Sequence, residues 1–225
     1  MKIKILLSVF ITLIVFSQKT NAQFGKGTIW LGGQVGFYTN NAQTLNGTNY
    51  SSKSNSLMLA PAVGIAVKND LIEGVDVLYQ HISYSNNLDT FPSSNSHSNN
   101  YGIGFFVRKY ASLGKGFYLF GQGRLGTTYL TQNSDQQNAN SSYSSKGFNI
   151  GLGFYPGIAY QISKRFQLET GFNDLFVMQY QHTDYKETNT GSSSNESKSN
   201  SFSVGSSLSS LSSFTIGFRY LISKS

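Results

Sequence analysis

Side chains alternate with a period of two along most of the chain beyond residue 27. In "GFNIGLGFYPGIAYQI", Phe148, Ile150, Leu152, Phe154, Pro156, Ile158, Tyr160 and Ile162 fall on one face. Asn149, Gly151, Gly153, Tyr155, Gly157, Ala159 and Gln161 fall on the other. "LMLAPAVGIAVK" sets Leu57, Leu59, Pro61, Val63, Ile65 and Val67 against the mostly small Met58, Ala60, Ala62, Gly64, Ala66 and Lys68. "NYGIGFFVRKY" and "SFTIGFRYLI" repeat the scheme. Successive residues of a strand point to opposite sides, so this period predicts strands with one apolar face. Eight strands are predicted, at about 28–38, 56–67, 71–85, 99–110, 116–131, 147–162, 166–181 and 211–222. Their lengths meet or exceed the ~9–11 residues that cross a bilayer at a tilt. In the seventh, "NDLFVMQY" breaks parity after Phe172, which predicts a bulge near Asp174.

The connections alternate in length. "VKNDL", "ASLGKG" and "SKR" are short turns, whereas 39–55, 86–98, 132–146 and the Ser-rich 182–210 are long and polar. Barrels that cross an outer membrane have short periplasmic turns and longer extracellular loops, and eight strands with both chain ends at the short-turn rim give this order. The fold class predicted is therefore all-β, an eight-stranded antiparallel up-and-down transmembrane β-barrel. Ten strands follow if the Ser-rich stretch adds a hairpin.

Charge decides which face is inside. Arg124 lies near the middle of its strand, where an Arg against lipid costs about 2–4 kcal/mol. It shares a face with Gln122 and Thr128, opposite Leu119, Leu125 and Tyr129. Arg124 and Gln122 are thus predicted to point into the barrel. By the same parity Arg108, Arg219, Asp76, Glu169, Gln167, Asn173, Gln80 and Gln34 do so too. Buried charges persist only when paired, so a salt-bridged polar network across the lumen is predicted, centred on Arg124 and Glu169. Phe106, Tyr118, Phe120 and Tyr155 are inward by the same count and imply a closed interior, while the wall of Ala60, Ala62, Gly64 and Ala66 leaves room for a residual cavity.

The first 22 residues stand outside this pattern. "MKIK" is basic, Ile5 to Phe16 form a largely apolar run too short to span a bilayer, and "SQKTNA" ends in small and polar residues. This is a secretory signal peptide with cleavage between Ala22 and Gln23, leaving 23–225 as the barrel domain. The chain has 17 basic and 10 acidic residues, and the leader takes Lys2, Lys4 and Lys19 but no acid, so the mature chain is a formal +4. No Lys or Arg run marks a nucleic-acid surface. Cysteine is absent, so neither disulfides nor an N-terminal lipid-modified cysteine is available.

Candidate chemistry is sparse. "GQGRLG" (121–126) fits a dinucleotide-binding glycine pattern, but strand-forming sequence flanks it on both sides and no helix follows, so no cofactor is assigned. His81, His97 and His182 lie on separate segments without metal-ligand spacing. In "QHISYS", His81 and Ser83 share a face but stand about 7 Å apart, too far for a nucleophile and its base. Phe202, Val204 and Leu208 carry even parity through the Ser-rich stretch, so strands extend past the membrane there, and exposed strand edges can pair with a partner.

With its leader, its eight alternating segments and the terminal "FTIGFRYLI", the chain resembles the small outer-membrane β-barrel family of diderm bacteria, the OmpA/OmpX-like group also labelled porin family. The resemblance covers nearly all of 23–222. It implies a multi-pass protein of the cell outer membrane, monomeric, surrounded by outer-membrane lipid and inserted by the outer-membrane assembly machinery. Phe218 and Tyr220 match the aromatic alternation of the family's last strand, but Ile222-Ser-Lys-Ser departs from its aromatic terminus. The functional expectation is a non-catalytic structural or surface-interaction role through the long loops, with an extracellular protein or glycan as ligand. The alternatives are a narrow porin for small solutes and, third, a lipid-modifying barrel enzyme.

Overall fold

The computed structural model describes residues 25–44, 50–88, 91–136, 141–172, 175–189, 194–206 and 214–222. The predicted signal peptide with its Ala22–Gln23 junction, Asn173, the bulge predicted at Asp174, Leu208 and the tail after Ile222 lie outside the described residues. Every regular element is a strand: β1 (Ile29–Thr44), β2 (Tyr50–Lys68), β3 (Leu71–Leu88), β4 (Phe91–Gly114), β5 (Phe117–Gln136), β6 (Ser141–Gln161), β7 (Phe166–Phe172), β8 (Phe176–Asn189), β9 (Asn195–Gly205) and β10 (Phe214–Ile222). All pairings are antiparallel, and a ring closes through β1 to β7 and β10.

The two strands beyond eight arise from one interruption and from the Ser-rich stretch. The predicted strand 166–181 is divided between β7 and β8, both of which pair with β6. Pairing of β6 with β7 ends at Gly157↔Gly171, and pairing with β8 begins at Phe154↔Phe176. The break therefore falls where the apolar parity slips. β9 comes from the predicted Ser-rich loop and pairs with β8 alone.

The long loops are the main departure from expectation. Ladders continue to Thr44↔Tyr50, Leu88↔Phe91, Gln136↔Ser141 and Glu187↔Asn195, so most of each predicted loop is strand. Ladder bonds use only backbone groups, and a ribbon of Ser, Asn and Thr has no apolar face to announce it. The short turns lie at the opposite rim. Asp70 takes a left-handed φ of 59° in the turn from β2 to β3, and Gly114, Lys115 and Gly116 take φ of 88°, 51° and 81° between β4 and β5. Two glycines make that second turn cheap, since they carry no Cβ penalty there.

Among the described residues the ring closes in its lower part. β1 pairs with β10 from Ile29↔Ile222 to Gln34↔Gly217. Above Gln34, β1 pairs with β2, and the far edge of β9 has no strand partner among the described residues. Among the described residues the raised strands follow the order β1 to β6, β8 and β9.

Large apolar side chains cover the outside: Val35, Phe37, Ile103, Leu125, Ile150 and Phe218 are all exposed, Phe37 by 74%. Two aromatic tiers bound this band. Tyr79, Tyr101, Tyr129 and Phe148 are direct partners across β3 to β6 on the long-strand side. Phe117 meets Tyr160 with its ring tilted by 40°, and Phe166 meets Tyr220 edge-on, at the short-turn rim. Inside, Trp30, Phe106 and Tyr110 are 1–2% exposed.

Candidate functional site

The inward faces of the lower ring build a sealed layer. Trp30, Ala66, Ile72, Phe106, Tyr110, Phe120, Ala159 and Leu221 form one buried cluster. Ala66, Ile72 and Tyr110 flank the turn at Asp70, which places the cluster at the short-turn end. Over it lie Arg108, Arg219 and Glu169, with side chains 2–4% exposed.

Arg108 donates four hydrogen bonds. Its Nε donates to Gln122 Oε1 at 2.7 Å, and its Nη1 to Tyr110 Oη at 3.1 Å and Glu169 Oε2 at 2.5 Å. Its Nη2 reaches Glu169 Oε1 at 3.4 Å. β4 and β7 stand three places apart around the ring, so this pair crosses the lumen. Arg219 comes from β10 and donates Nη2 to the same Glu169 Oε1. Its Nη1 donates to the carbonyls of Gly33 (2.6 Å) and Phe218 (2.9 Å). Trp30 receives both cations on its ring, at 4.8 Å from Arg108 and 4.6 Å from Arg219, and Phe120 lies 4.2 Å from Arg108. Aromatic faces carry negative charge, so they supplement the carboxylate. Trp30 Nε1 donates to Tyr110 Oη at 3.2 Å, which holds the indole in place.

Arg124 belongs to a second pair. Its Nε donates to both oxygens of Asp76 (3.0 and 2.8 Å) and its Nη2 to Oδ1 (2.5 Å), a bidentate fork. The six polar residues read from the sequence (Arg108, Arg124, Arg219, Asp76, Glu169 and Gln122) are thus all inward, but they do not form one network centred on Arg124 and Glu169. Register explains the split. Asp76 is opposite Gly104, and Gly104 is opposite Gly126. With no side chain at either glycine, the Arg124 guanidinium lies over β4 and meets Asp76 two strands away. A Cβ at Gly104 or Gly126 would stand 2.5 Å from that guanidinium. The last glycine of "GQGRLG" is therefore a notch for the arginine. A Cβ at Gly123 would meet open space on the outer face.

A cavity of about 210 Å³ adjoins both pairs, bordered by Arg124, Arg219, Gln34 and Tyr155 and walled by Ala60 and Ala62. Of the predicted small-residue wall, Ala66 instead packs into the apolar cluster. Trp30 and Tyr110 escaped the sequence reading. Trp30 shares the parity of Gln34, which was already placed inside, so the signal was present in β1.

The histidines sit on the outer rim. His81 Nδ1 is 2.8 Å from Asn99 Oδ1, and the His81 and His97 rings stack at 6.1 Å. His182 Nδ1 is 2.7 Å from Asn200 Oδ1. Among the described residues no group of three or more His, Asp or Glu is placed to hold a metal ion.

No protein-family model matches the chain, and no curated protein matches it. Among solved structures it is similar to the outer membrane protein OprG from Pseudomonas aeruginosa, with a TM-score of 0.49 and 10% identity over 91% of this chain and 100% of that one. It is also similar to part of the ferric yersiniabactin uptake receptor FyuA from Yersinia pestis, with a TM-score of 0.37 and 15% identity over 71% of this chain and 26% of that one.

Glu169→Gln leaves two buried guanidiniums without a counter-charge and is expected to lower unfolding free energy by about 3–5 kcal/mol. Asp76→Asn is expected to cost less, because water reaches the Arg124 side chain, 19% exposed. Urea titration of the refolded barrel measures both, and the reverse order contradicts this hierarchy. Gly126→Val overpacks the Arg124 notch and is expected to cost about 1–3 kcal/mol, while Gly123→Val stays near neutral.

Proposed function

We propose that this chain is an integral outer-membrane β-barrel with a closed lumen, exported by its leader, inserted as a monomer by the outer-membrane assembly machinery, and used for surface interaction. The observation that carries the membrane reading is the inversion of polarity. Exposed Phe, Leu, Ile and Val side chains cover the outside of a ring whose inside holds Arg108, Arg219 and Glu169. In water that outer band is a large uncovered apolar surface, whereas against acyl chains it is the favoured one.

The raised strands support the interaction role. At ~3.4 Å per residue, the run from Phe91 to Tyr101 rises on the order of 25 Å beyond the upper aromatic tier after tilt. β9 is exposed at all of its positions, and among the described residues its edge away from β8 has no strand partner, so it can receive one from another chain. A hollow of about 520 Å³ lies among Tyr143, Tyr185, Lys186, Glu187 and Gln132, with Tyr143 Oη donating to Glu187 Oε1 at 3.0 Å. Exposed tyrosines amid hydroxyls and amides suit an extracellular glycan or peptide. The reading assigns no catalysis.

The narrow-porin alternative rests on the lumen cavity, and the Trp30–Phe106–Phe120 layer beneath it favours closure. In planar bilayers the mature protein is expected to give no steady single-channel steps, and reproducible steps would establish the pore instead. Leu125→Arg, mid-band and outward, is expected to cost about 2–4 kcal/mol in vesicles, read by urea titration, whereas a neutral effect removes the lipid contact.

A further inference from the structure

We propose that the lumen cavity is a binding site for a small organic monoanion, a carboxylate with a short apolar tail. The charges that border the cavity are Arg108, Arg124 and Arg219 against Asp76 and Glu169. Three guanidiniums facing two carboxylates leave one positive charge in excess. In a layer this buried an unmatched cation is unfavourable, and a bound anion removes the imbalance.

The excess localises on Arg219. Arg124 has Asp76 to itself, and Arg108 holds both oxygens of Glu169. Arg219 shares one of those oxygens, and its other hydrogen bonds go to backbone carbonyls while Trp30 supplies only a ring face. Its Nε is buried with no hydrogen-bond partner among the described residues, in a side chain 2% exposed. That donor lies against Gly32, where a Cβ would stand 2.9 Å from it, and a buried donor without an acceptor is rare, so the Arg219 charge is left under-compensated.

Shape selects the class of anion. The space, about 210 Å³, far exceeds the ~10–15 Å³ that one water needs. Its walls include Met58, Ala60, Ala62, Leu78 and Phe172, which suit an alkyl tail better than a fully hydrated ion. One excess charge matches a monoanion, whereas a dianion would reverse the imbalance. A planar carboxylate also fits the guanidinium fork. The site stands independently of whether the raised strands bind a partner.

The reporter is built in. Trp30 is the single tryptophan of the chain, lines the cavity, and lies 4.6 Å from the Arg219 guanidinium. Hexanoate titrated into the mature barrel in detergent is expected to change Trp30 emission saturably, with hexanamide at least about tenfold weaker because it lacks the charge. Ala60→Phe fills the cavity without touching an ion pair and is expected to abolish the response while the melting temperature is kept. Arg219→Gln balances the remaining charges and is expected to weaken hexanoate by about tenfold or more. A flat hexanoate titration, equal response to hexanamide, or a response that survives Ala60→Phe overturns the proposal.

Discussion

Glu169 is the carboxylate on which the interior depends. It draws Arg108 from β4 and Arg219 from β10 to a single point, and β7 carries it between them. The contact ties together β4, β7 and β10, and β10 is also the strand that closes onto β1. Two cations so deep are tolerable only with this carboxylate, the flanking aromatic faces and the backbone carbonyls acting jointly. The same requirement fixes orientation: once the ionised groups must meet inside, every alternate residue of each strand is sent outward.

That constraint explains the glycine content of the strands. The guanidiniums and large rings crossing the lumen need facing positions with no side chain. A Cβ at Gly32 would collide with Arg219, at Gly104 and Gly126 with Arg124, at Gly74 with Phe106, and at Gly157 with Phe120. An eight-stranded ring has room for one layer of large inward groups, so each bulky residue is set against a notch. The apolar cluster and the ion pairs therefore stack as two sealing layers, and the cavity is what remains over them.

Much of this was legible in the sequence, because parity is a local property. The faces of Arg108, Arg124, Arg219, Asp76, Glu169 and Gln122 followed from counting along single strands, and the ring through eight strands followed from the alternation of connections. Pairing was not legible in the same way. Whether Arg124 meets Asp76 or Glu169 depends on register summed across several strands, and on which intervening positions are glycine. The polar ribbons were read as loops because Ser and Asn give no apolar period when both faces meet water. Their strand character rests on backbone bonds continued from the barrel below. Trp30 was hidden for a different reason, being a lone aromatic in a short stretch of β1 otherwise dominated by Gly.

The central claim is that odd positions of β5 face acyl chains and even positions face a sealed interior. The chain has no cysteine, so single cysteines can be placed without background. Nitroxide labels at 119, 121, 123 and 125, compared with 118, 122 and 128, report collision with oxygen dissolved in lipid and with a water-soluble nickel chelate. The account predicts high oxygen and low chelate exposure at every odd position, and protection from oxygen at the even ones. Equal exposure along the strand, or the opposite alternation, would contradict it.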